Sequence, residues 1–396
     1  MEMNKFKEIL QSCHLNFLIG SGTSRPFLGT LGVIETYLTQ IDDELDGDFK
    51  TIAKVSVLKH YFDVAIKGNY NLLTNSFEKS EIQKSEETKQ NYKIFLSAIN
   101  QNLIRRKGNL INKQANLFTT NVDIFLEKTI EDCGFEYNDG FSGRLNPTFS
   151  LSNFKKTISK ISSHYDNYSE IPLFNVLKLH GSITWKEITN HKDSQICFDN
   201  SLSQIKKLID NDLINTGEFI ELYYDTGKKD EKGIDVWKIK NIEQIVTESK
   251  GLILSKNHTK FLEYYEKILM INPTKEKFKF TTLNYTYYEL LRMYANTLEK
   301  ENSVLFVLGF SFADEHIREI TVRVANSNPT LQICIFAHSE DSKTSIKSEL
   351  DKSGSLKFNN IYYFDIPKDG YFDLKTINEK YFEELRKQLE KPEPLN

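Results

Sequence analysis

Short apolar runs rich in β-branched and aromatic residues recur along the chain, and helical periodicity follows many of them. Several runs are apolar at consecutive positions, as are parallel strands that are buried on both faces. The helical pattern is clearest at Tyr287, Leu290, Leu291, Tyr294 and Leu298. This alternation predicts an α/β fold in which a parallel sheet carries helices on both faces. The predicted strands are residues 15–19, 116–120, 175–179, 268–271, 304–308, 331–337 and 361–364.

Two polar stretches interrupt the alternation. Residues 41–114 have no clear strand pattern and contain a long charged amphipathic segment, so they predict a helical insertion. Residues 186–264 predict a second, mostly helical insertion, in which 217–228 has the composition of a strand or a hairpin. The expected core then consists of residues 1–40, 115–185 and 265–396.

Composition narrows the class of protein. The 396 residues include 51 basic and 55 acidic ones, and this balance gives no reason to expect direct, sequence-specific binding to nucleic acid. The first residues lack the apolar core of a signal peptide, and the apolar runs are too short to span a membrane, which predicts a cytoplasmic protein. Cys13, Cys133, Cys197 and Cys334 stand far apart, which argues against a cysteine zinc ribbon and a disulfide framework.

A glycine-rich loop directly follows the first predicted strand, with the sequence Gly20-Ser21-Gly22-Thr23-Ser24. Glycines at a strand end allow a diphosphate to approach the backbone, and a following helix offers its N–H groups to the anion. We therefore expect these five residues to bind a nucleotide diphosphate. The alternative interpretation is a plain tight turn.

Polar residues also follow the second strand, as Thr119-Thr120-Asn121-Val122-Asp123. The carboxyl ends of strands are where α/β sheets contact ligands. The Asn121 amide can donate and accept hydrogen bonds at once, which suits a ribose hydroxyl and a water. Asp123 is expected to cap a helix at 124–132 and to fix the loop or a ribose. The alternative is that Asn121 is a turn residue and Asp123 only a cap.

Two further strand ends carry polar residues. His180 and Gly181 follow the strand at 175–179, and a histidine there suits general-base chemistry, although a lone histidine is more often structural. Gly309-Phe310-Ser311 follow the strand at 304–308, with Asp314 before a helix. This segment is expected to form a second nucleotide-contacting loop that Asp314 joins to the helix as its cap.

The order and chemistry of these motifs resemble the sirtuin family. Residues 20–24 resemble its G-A-G-x-S loop, residues 119–123 resemble its T-Q-N-x-D motif, and His180-Gly181 resembles its catalytic H-G. Gly309-Phe310-Ser311 resembles its G-T-S loop near the adenosine ribose. The resemblance implies a Rossmann-like core that binds NAD. It implies that Asn121 and His180 are catalytic and that NAD contacts Gly20, Ser21, Gly22, Thr23, Ser24, Asp123, Gly309, Phe310, Ser311 and Asp314.

The sequence departs from the classical sirtuins in two places. Arg25-Pro26-Phe27 stands where the family has D-F-R, and the cysteines of the zinc module are missing, so no zinc is expected. Because the family binds acylated peptide beside that module, its absence leaves water as the acceptor. The expected reaction is hydrolysis of NAD to ADP-ribose and nicotinamide. A protein deacylase, and a regulatory subunit that binds NAD or ADP-ribose without turnover, are the alternatives.

The resemblance is closer to the bacterial sirtuin-like effectors of antiphage defence, whose late motif is G-x-S-x-x-D-x-H-I. Gly309, Ser311, Asp314, His316 and Ile317 fit that motif. Asn272-Pro273-Thr274, ahead of the expected helix start at residues 283–285, is also similar to that branch. This implies abortive infection through NAD depletion, gated by a partner. The size resembles the subunit that forms a homo-oligomer with a HerA-type ATPase, with residues 41–114 and 186–265 as candidate contact segments.

Overall fold

The computed structural model describes residues 1–30, 32–106, 111–163, 167–190, 193–213, 217–229, 235–271, 281–352, 354, 356–368 and 370–390. The strands in chain order are β1 His14–Ile19, β2 Gln114–Thr119, β3 Glu136–Asn138, β4 Phe141–Ser142, β5 Thr148–Phe149, β6 Ser159–Ile161, β7 Tyr168–Glu170, β8 Leu173–Lys178, β9 Trp185–Asn190, β10 Asp193–Phe198, β11 Tyr223–Lys229, β12 Asp235–Ile239, β13 Ser303–Leu308, β14 Gln332–Phe336 and β15 Ile361–Tyr363.

The α-helices are α1 Met3–Ser12, α2 Ile34–Glu44, α3 Gly47–Tyr61, α4 Gly68–Thr74, α5 Lys79–Ile104, α6 Phe125–Asp132, α7 Ser203–Asp210, α8 Ile242–Ser249, α9 Lys256–Tyr265, α10 Thr281–Leu298, α11 Glu315–Ser327, α12 Glu340–Leu350, α13 Leu374–Ile377 and α14 Glu383–Glu390. Short 3₁₀ turns cover Ser21–Ser24 and Leu151–Lys155, and π turns cover Phe62–Ile66 and Asn378–Phe382.

Seven parallel strands form the central sheet in the order β15-β14-β13-β1-β2-β8-β3. Every residue of β8 and β13 is buried, which explains why their sequences are largely apolar without alternation. The predicted α/β fold with a parallel sheet between helical layers is confirmed. No helix within the described ranges is long and apolar enough to cross a membrane.

Six of the seven predicted strands coincide with sheet strands, and the seventh is wrong. Residues 268–271 make only an isolated antiparallel bridge between Met270 and Gly181. Their apolar side chains pack into the core from a loop instead, which the run of apolar residues does not distinguish from a strand. No sequence pattern predicts β3, a three-residue edge strand with one exposed and two partly exposed residues.

Helices cover both faces of the sheet. On one face, Phe95 of α5 packs against Phe17 of β1 with ring centroids 5.2 Å apart. On the other face, Tyr294 of α10 packs against Phe118 of β2 at 5.0 Å. Since α5 connects β1 to β2 across the sheet, it belongs with the core. The division of the chain into a core and two insertions stays a proposal. In it, α5 belongs to the core, and the first insertion ends before α5.

The second expected insertion is corrected from mostly helical to mixed. Residues 186–264 contain α7, α8 and most of α9, but also two antiparallel hairpins. The hairpin of β9 and β10 joins β5 and β4 in a four-stranded sheet. The hairpin of β11 and β12 includes residues 223–228 of the segment that had the composition of a strand. Charged residues in these exposed strands produce the polar pattern that favoured helices.

The sheet order sets the position of a ligand crevice. β1 lies between β2 and β13, and the chain leaves β1 and β13 toward opposite sides of the sheet. The β1–β2 connection runs through α5 on one face, whereas the β13–β14 connection runs through α11 on the other. In open α/β sheets ligands bind at such a switch point, outside the carboxyl ends of the strands.

Candidate functional site

The two glycine loops meet at the switch point between β1 and β13. The Gly20 amide donates to the Leu308 carbonyl at 2.9 Å, and the Gly22 amide donates to the Gly309 carbonyl at 3.1 Å. A Cβ added to Gly20 would lie 2.3 Å from the Gly309 carbonyl oxygen, so the two backbones pass too closely for any side chain. The structure thus brings together two loops predicted from distant parts of the sequence.

Thr23 and Ser24 face the protein interior. They are 2% and 1% exposed, and the Thr23 hydroxyl donates to the Gly20 carbonyl at 2.7 Å. The Tyr92 hydroxyl on α5 lies 2.8 Å from Thr23 Oγ1 and 3.0 Å from Ser24 Oγ. These hydroxyls hold the loop from behind, whereas Ser21 and Gly22 are partly exposed in the crevice. Sequence reasoning missed Tyr92 because it lies in the segment expected to be an insertion.

Hydrogen bonds hold both the backbone amide and the side-chain amide of Asn121. Its backbone amide donates to Thr119 Oγ1 at 2.9 Å, while the Thr119 hydroxyl donates to the Ile19 carbonyl at 2.8 Å. The side-chain amide donates to the Gly20 carbonyl at 3.1 Å. Asn121 Oδ1 is buried and has no hydrogen-bond partner among the described residues. A buried acceptor of this kind is costly unless a ligand or water satisfies it.

Asp123 links the loop to its surroundings. Its Oδ2 accepts a hydrogen bond from the Ser24 hydroxyl at 2.6 Å, and its Oδ1 accepts one from the Phe125 amide at 3.1 Å. The carboxylate therefore holds the first turn of α6, which begins one residue later than expected. Because Asp123 is only 5% exposed and both oxygens are occupied, these contacts hold the protein loop. Its contact with a ribose remains a prediction.

His180 follows β8 and pairs with a residue of the late loop. Its Nε2 lies 3.1 Å from Asp314 Oδ2, and its side chain is 16% exposed. Gly181 has a φ of +77°, and a Cβ there would lie 2.4 Å from the Leu269 carbonyl oxygen, which explains the glycine after His180. Asp314 Oδ1 accepts from the Ile317 amide at 3.1 Å and so caps α11, as expected.

The geometry gives Asp314 a contact that its sequence position did not predict. The sequence predicts Asp314 as a helix cap and an NAD contact, yet one of its oxygens faces the His180 imidazole. The remaining late-loop residues stay close to the glycine loop through Gly309. Phe310 is half-buried, Ser311 is exposed, and Phe312 is buried with a φ of +59°, a conformation that strains a non-glycine residue.

A buried ion pair lies beneath the loop of Asn121 and Asp123. Lys178 Nζ is 3.0 Å from Glu127 Oε1, and the lysine side chain is 3% exposed. Burial raises the pKa of Glu127 above its usual range, although the Lys178 charge opposes this shift. Sequence reasoning missed this pair. The available signal was a lysine within a strand that is otherwise largely apolar, two positions before His180.

A cavity of about 230 Å³ lies between α3, α4 and the start of α5. In its lining, Lys59 contacts Asp63 at 3.0 Å and Asn71 contacts Glu81 at 3.1 Å. No cluster of three or more His, Cys, Asp or Glu side chains suited to a metal occurs in the described part of the chain. The motif at Asn272-Pro273-Thr274 lies outside the described residues.

Comparison with known proteins identifies a partial match. A family model described as a SIR2-like domain matches residues 270–358. A solved structure of a Sir2 mutant with p53 peptide and NAD is 11% identical, with a TM-score of 0.36 over 97% of this chain and 98% of that chain. A structure described as the basis for the mechanism and regulation of Sir2 enzymes is also 11% identical, with a TM-score of 0.35 over 98% and 99%. TM-scores this low carry no functional inference. No curated protein matches the sequence.

Proposed function

We propose that this protein binds NAD and hydrolyses it to ADP-ribose and nicotinamide. The observation that carries the proposal is the buried Oδ1 of Asn121 at the switch point, which has no partner among the residues that the structure describes. In the pairing of β2 with β8, Thr119 lies opposite Lys178, so Asn121 and His180 both stand two residues beyond a paired position. Asn121 Oδ1 and the pair of His180 with Asp314 thus lie at the carboxyl ends of neighbouring strands.

The position of the two glycine loops supports a nucleotide substrate. Gly20 and Gly309 allow the loops after β1 and β13 to pack backbone against backbone at the switch point, which is where open α/β sheets bind nucleotides. In the proposed complex the diphosphate lies along residues 20–22 and the adenosine side follows Gly309 to Ser311. The nicotinamide ribose then reaches Asn121, whose Oδ1 accepts a hydrogen bond from a ribose hydroxyl or the attacking water.

The proposed chemistry balances without a further reactant. The bond between ribose C1′ and the nicotinamide nitrogen breaks, and its electron pair leaves with nicotinamide, which becomes neutral. The cation that develops on the ribose resembles that of glycoside hydrolysis, and the oxygen of water bonds to C1′. His180 accepts the proton that this water loses and releases it to solvent. The Asp314 carboxylate orients the imidazole.

Purified protein incubated with NAD tests the reaction. We expect nicotinamide to be released without any acylated peptide, either by the protein alone or after addition of its activating partner. His180→Ala and Asn121→Ala are expected to abolish release while the fold persists. His60→Ala is the matched control, because His60 lies on α3 against Tyr223 and outside the site.

Three outcomes contradict different parts of the proposal. Turnover by His180→Ala at the wild-type rate removes the proposed base. Release that depends on an acylated peptide indicates a deacylase. Calorimetric binding of NAD with no product over hours indicates a regulatory binding subunit.

We further propose a biological setting that rests on the resemblance of the late motif, from Gly309 to Ile317, to antiphage effectors. In this setting the protein acts in the cytoplasm as a homo-oligomer, and a HerA-type ATPase partner switches on NAD depletion during infection. Incubation with the product of the neighbouring gene tests this setting. An NAD hydrolysis rate that no such partner changes would contradict the gating but not the reaction.

A further inference from the structure

The ammonium of Lys178 lies directly behind the segment that carries Asn121. It donates to the Asp123 carbonyl, contacts the Asn121 carbonyl at 3.4 Å and pairs with Glu127 Oε1 at 3.0 Å. A lysine ammonium has three N–H donors, so these three acceptors use all of them. Two of the three are backbone carbonyls on either side of Val122.

Burial of the Lys178–Glu127 ion pair costs desolvation free energy, which indicates that the pair has a role beyond stability. The Lys178 side chain is 3% exposed and that of Glu127 is 12% exposed, so both charges have lost most of their water. Burying an ion pair in place of apolar side chains gains little or no stability. A buried charge that also holds two loop carbonyls has a geometric consequence that an apolar residue would not supply.

Lys178 completes the attachment of Asn121 by contacting its backbone carbonyl. The Asn121 backbone amide is held by Thr119 and its side-chain amide by the Gly20 carbonyl, while its own carbonyl faces Lys178. These contacts fix the direction of the unpartnered Oδ1. Geometry matters there, since a shift of about 1 Å in a reacting group can cost about 100-fold in rate.

We propose that Lys178 is a positioning residue that sets the placement of Asn121, with Glu127 as the counter-charge that permits a buried ammonium. This inference rests on the proposed hydrolysis of NAD and adds a residue to which no ligand contact is assigned. Lys178 acts on the substrate only through the loop of residues 121–123.

Three variants separate positioning from a structural ion pair. Lys178→Met removes the ammonium, and Glu127→Gln keeps an acceptor without its charge. The double variant Lys178→Met/Glu127→Gln leaves no unpaired charge, so we expect its melting temperature to recover relative to Lys178→Met. Lys59→Met is the matched control, because Lys59 is also largely buried and ion-paired, to Asp63 at 3.0 Å, but lies away from the site.

The double variant gives the decisive rate. We expect kcat for nicotinamide release to fall about 100-fold in Lys178→Met and to stay low in the double variant, with KM changed less than about three-fold. Lys59→Met keeps the wild-type kcat. A double variant that regains both stability and kcat would overturn the proposal, because the pair would then be only structural. If Lys178→Met fails to fold, the double variant alone decides in the same way.

A second measurement is independent of turnover. The side-chain amide signals of Asn121, assigned in ¹⁵N-asparagine-labelled protein with Asn121→Ala, are expected to shift in the double variant and to stay unchanged in Lys59→Met. If the wild-type protein turns over no NAD either alone or with its activating partner, the proposed function fails while this shift still decides the role of Lys178. Unchanged Asn121 signals in the double variant contradict positioning.

Discussion

One carboxylate, Asp314, serves two groups at the site. Its Oδ1 caps α11 through the Ile317 amide, and its Oδ2 faces His180 at 3.1 Å. Asp314→Asn separates these roles, because asparagine caps a helix about as well as aspartate. We expect the free energy of unfolding to change by less than about 1 kcal/mol. In contrast, kcat for NAD hydrolysis should fall at least about 100-fold, since the base loses its orienting carboxylate.

Asp373→Asn is the matched control for this prediction. Asp373 caps α13 by accepting from the Thr376 amide at 2.7 Å and has no role at the site. Thermal unfolding and steady-state nicotinamide release are measured on both variants. Equal kcat values for the two would show that Asp314 is only a helix cap.

At the residue scale, the sequence predicts best those groups that are marked by a strand end. Asn121 and His180 were found because each follows a predicted strand, where the chain must turn toward solvent. The partners of these groups were not found. Tyr92, Lys178 and the contact of Asp314 with His180 depend on how separate strands and helices pack, and no local pattern in one sequence encodes that packing.

At the scale of elements, the small antiparallel sheet has an aromatic core. Trp185 of β9 lies 5.0 Å from Phe149 and Phe141 lies 5.3 Å from Phe198, measured between ring centroids. Trp185 is 4% exposed, so Trp185→Ala should lower the free energy of unfolding by about 3–5 kcal/mol. Trp237→Ala is the control, since Trp237 on β12 is 59% exposed and its loss should cost less than about 0.5 kcal/mol.

Metal removal is a separate test of that sheet. Because its described core is aromatic, we expect a chelator such as EDTA to leave the melting temperature unchanged while Trp185→Ala lowers it. A chelator that lowers the melting temperature as much as Trp185→Ala would contradict the prediction. It would also contradict the expectation, drawn from the cysteine spacing, that the protein holds no zinc.

Element boundaries differ in how well a sequence specifies them. The fully buried strands β8 and β13 were predicted to within two residues, because both faces demand apolar side chains. The partly exposed hairpins β9–β10 and β11–β12 lie in a stretch whose polar pattern predicts mostly helices, since strands with solvent on one or both sides tolerate charged residues. The prediction of a strand at residues 268–271 is wrong for the opposite reason, because the sequence of an apolar loop packed into the core resembles that of a strand.

At the scale of the whole molecule, the alternation of strands and helices was sufficient to predict the class of fold but not the order of strands. That order follows from long-range pairing, above all of β1 with β13. The strand order determines where the site forms, because the pairing of β1 with β13 brings residues 20–23 against Gly309. At that point the loop after β1 contacts the loop after β13 through backbone atoms.

The contact between the loops after β1 and β13 leads to a last prediction. A Cβ on Gly309 would lie 2.7 Å from the Thr23 amide nitrogen, and its φ is +60°. Gly309→Ala should therefore cost both the strain of a left-handed backbone, about 1–2 kcal/mol, and a displacement of the glycine loop. Gly134→Ala is the control for strain alone, since Gly134 has a φ of +66° with nothing within 4 Å of an added Cβ. We expect both variants to lose thermal stability but only Gly309→Ala to weaken NAD binding, measured by calorimetry. Equal NAD affinity in the two variants would mean that the nucleotide does not bind where the loops after β1 and β13 meet.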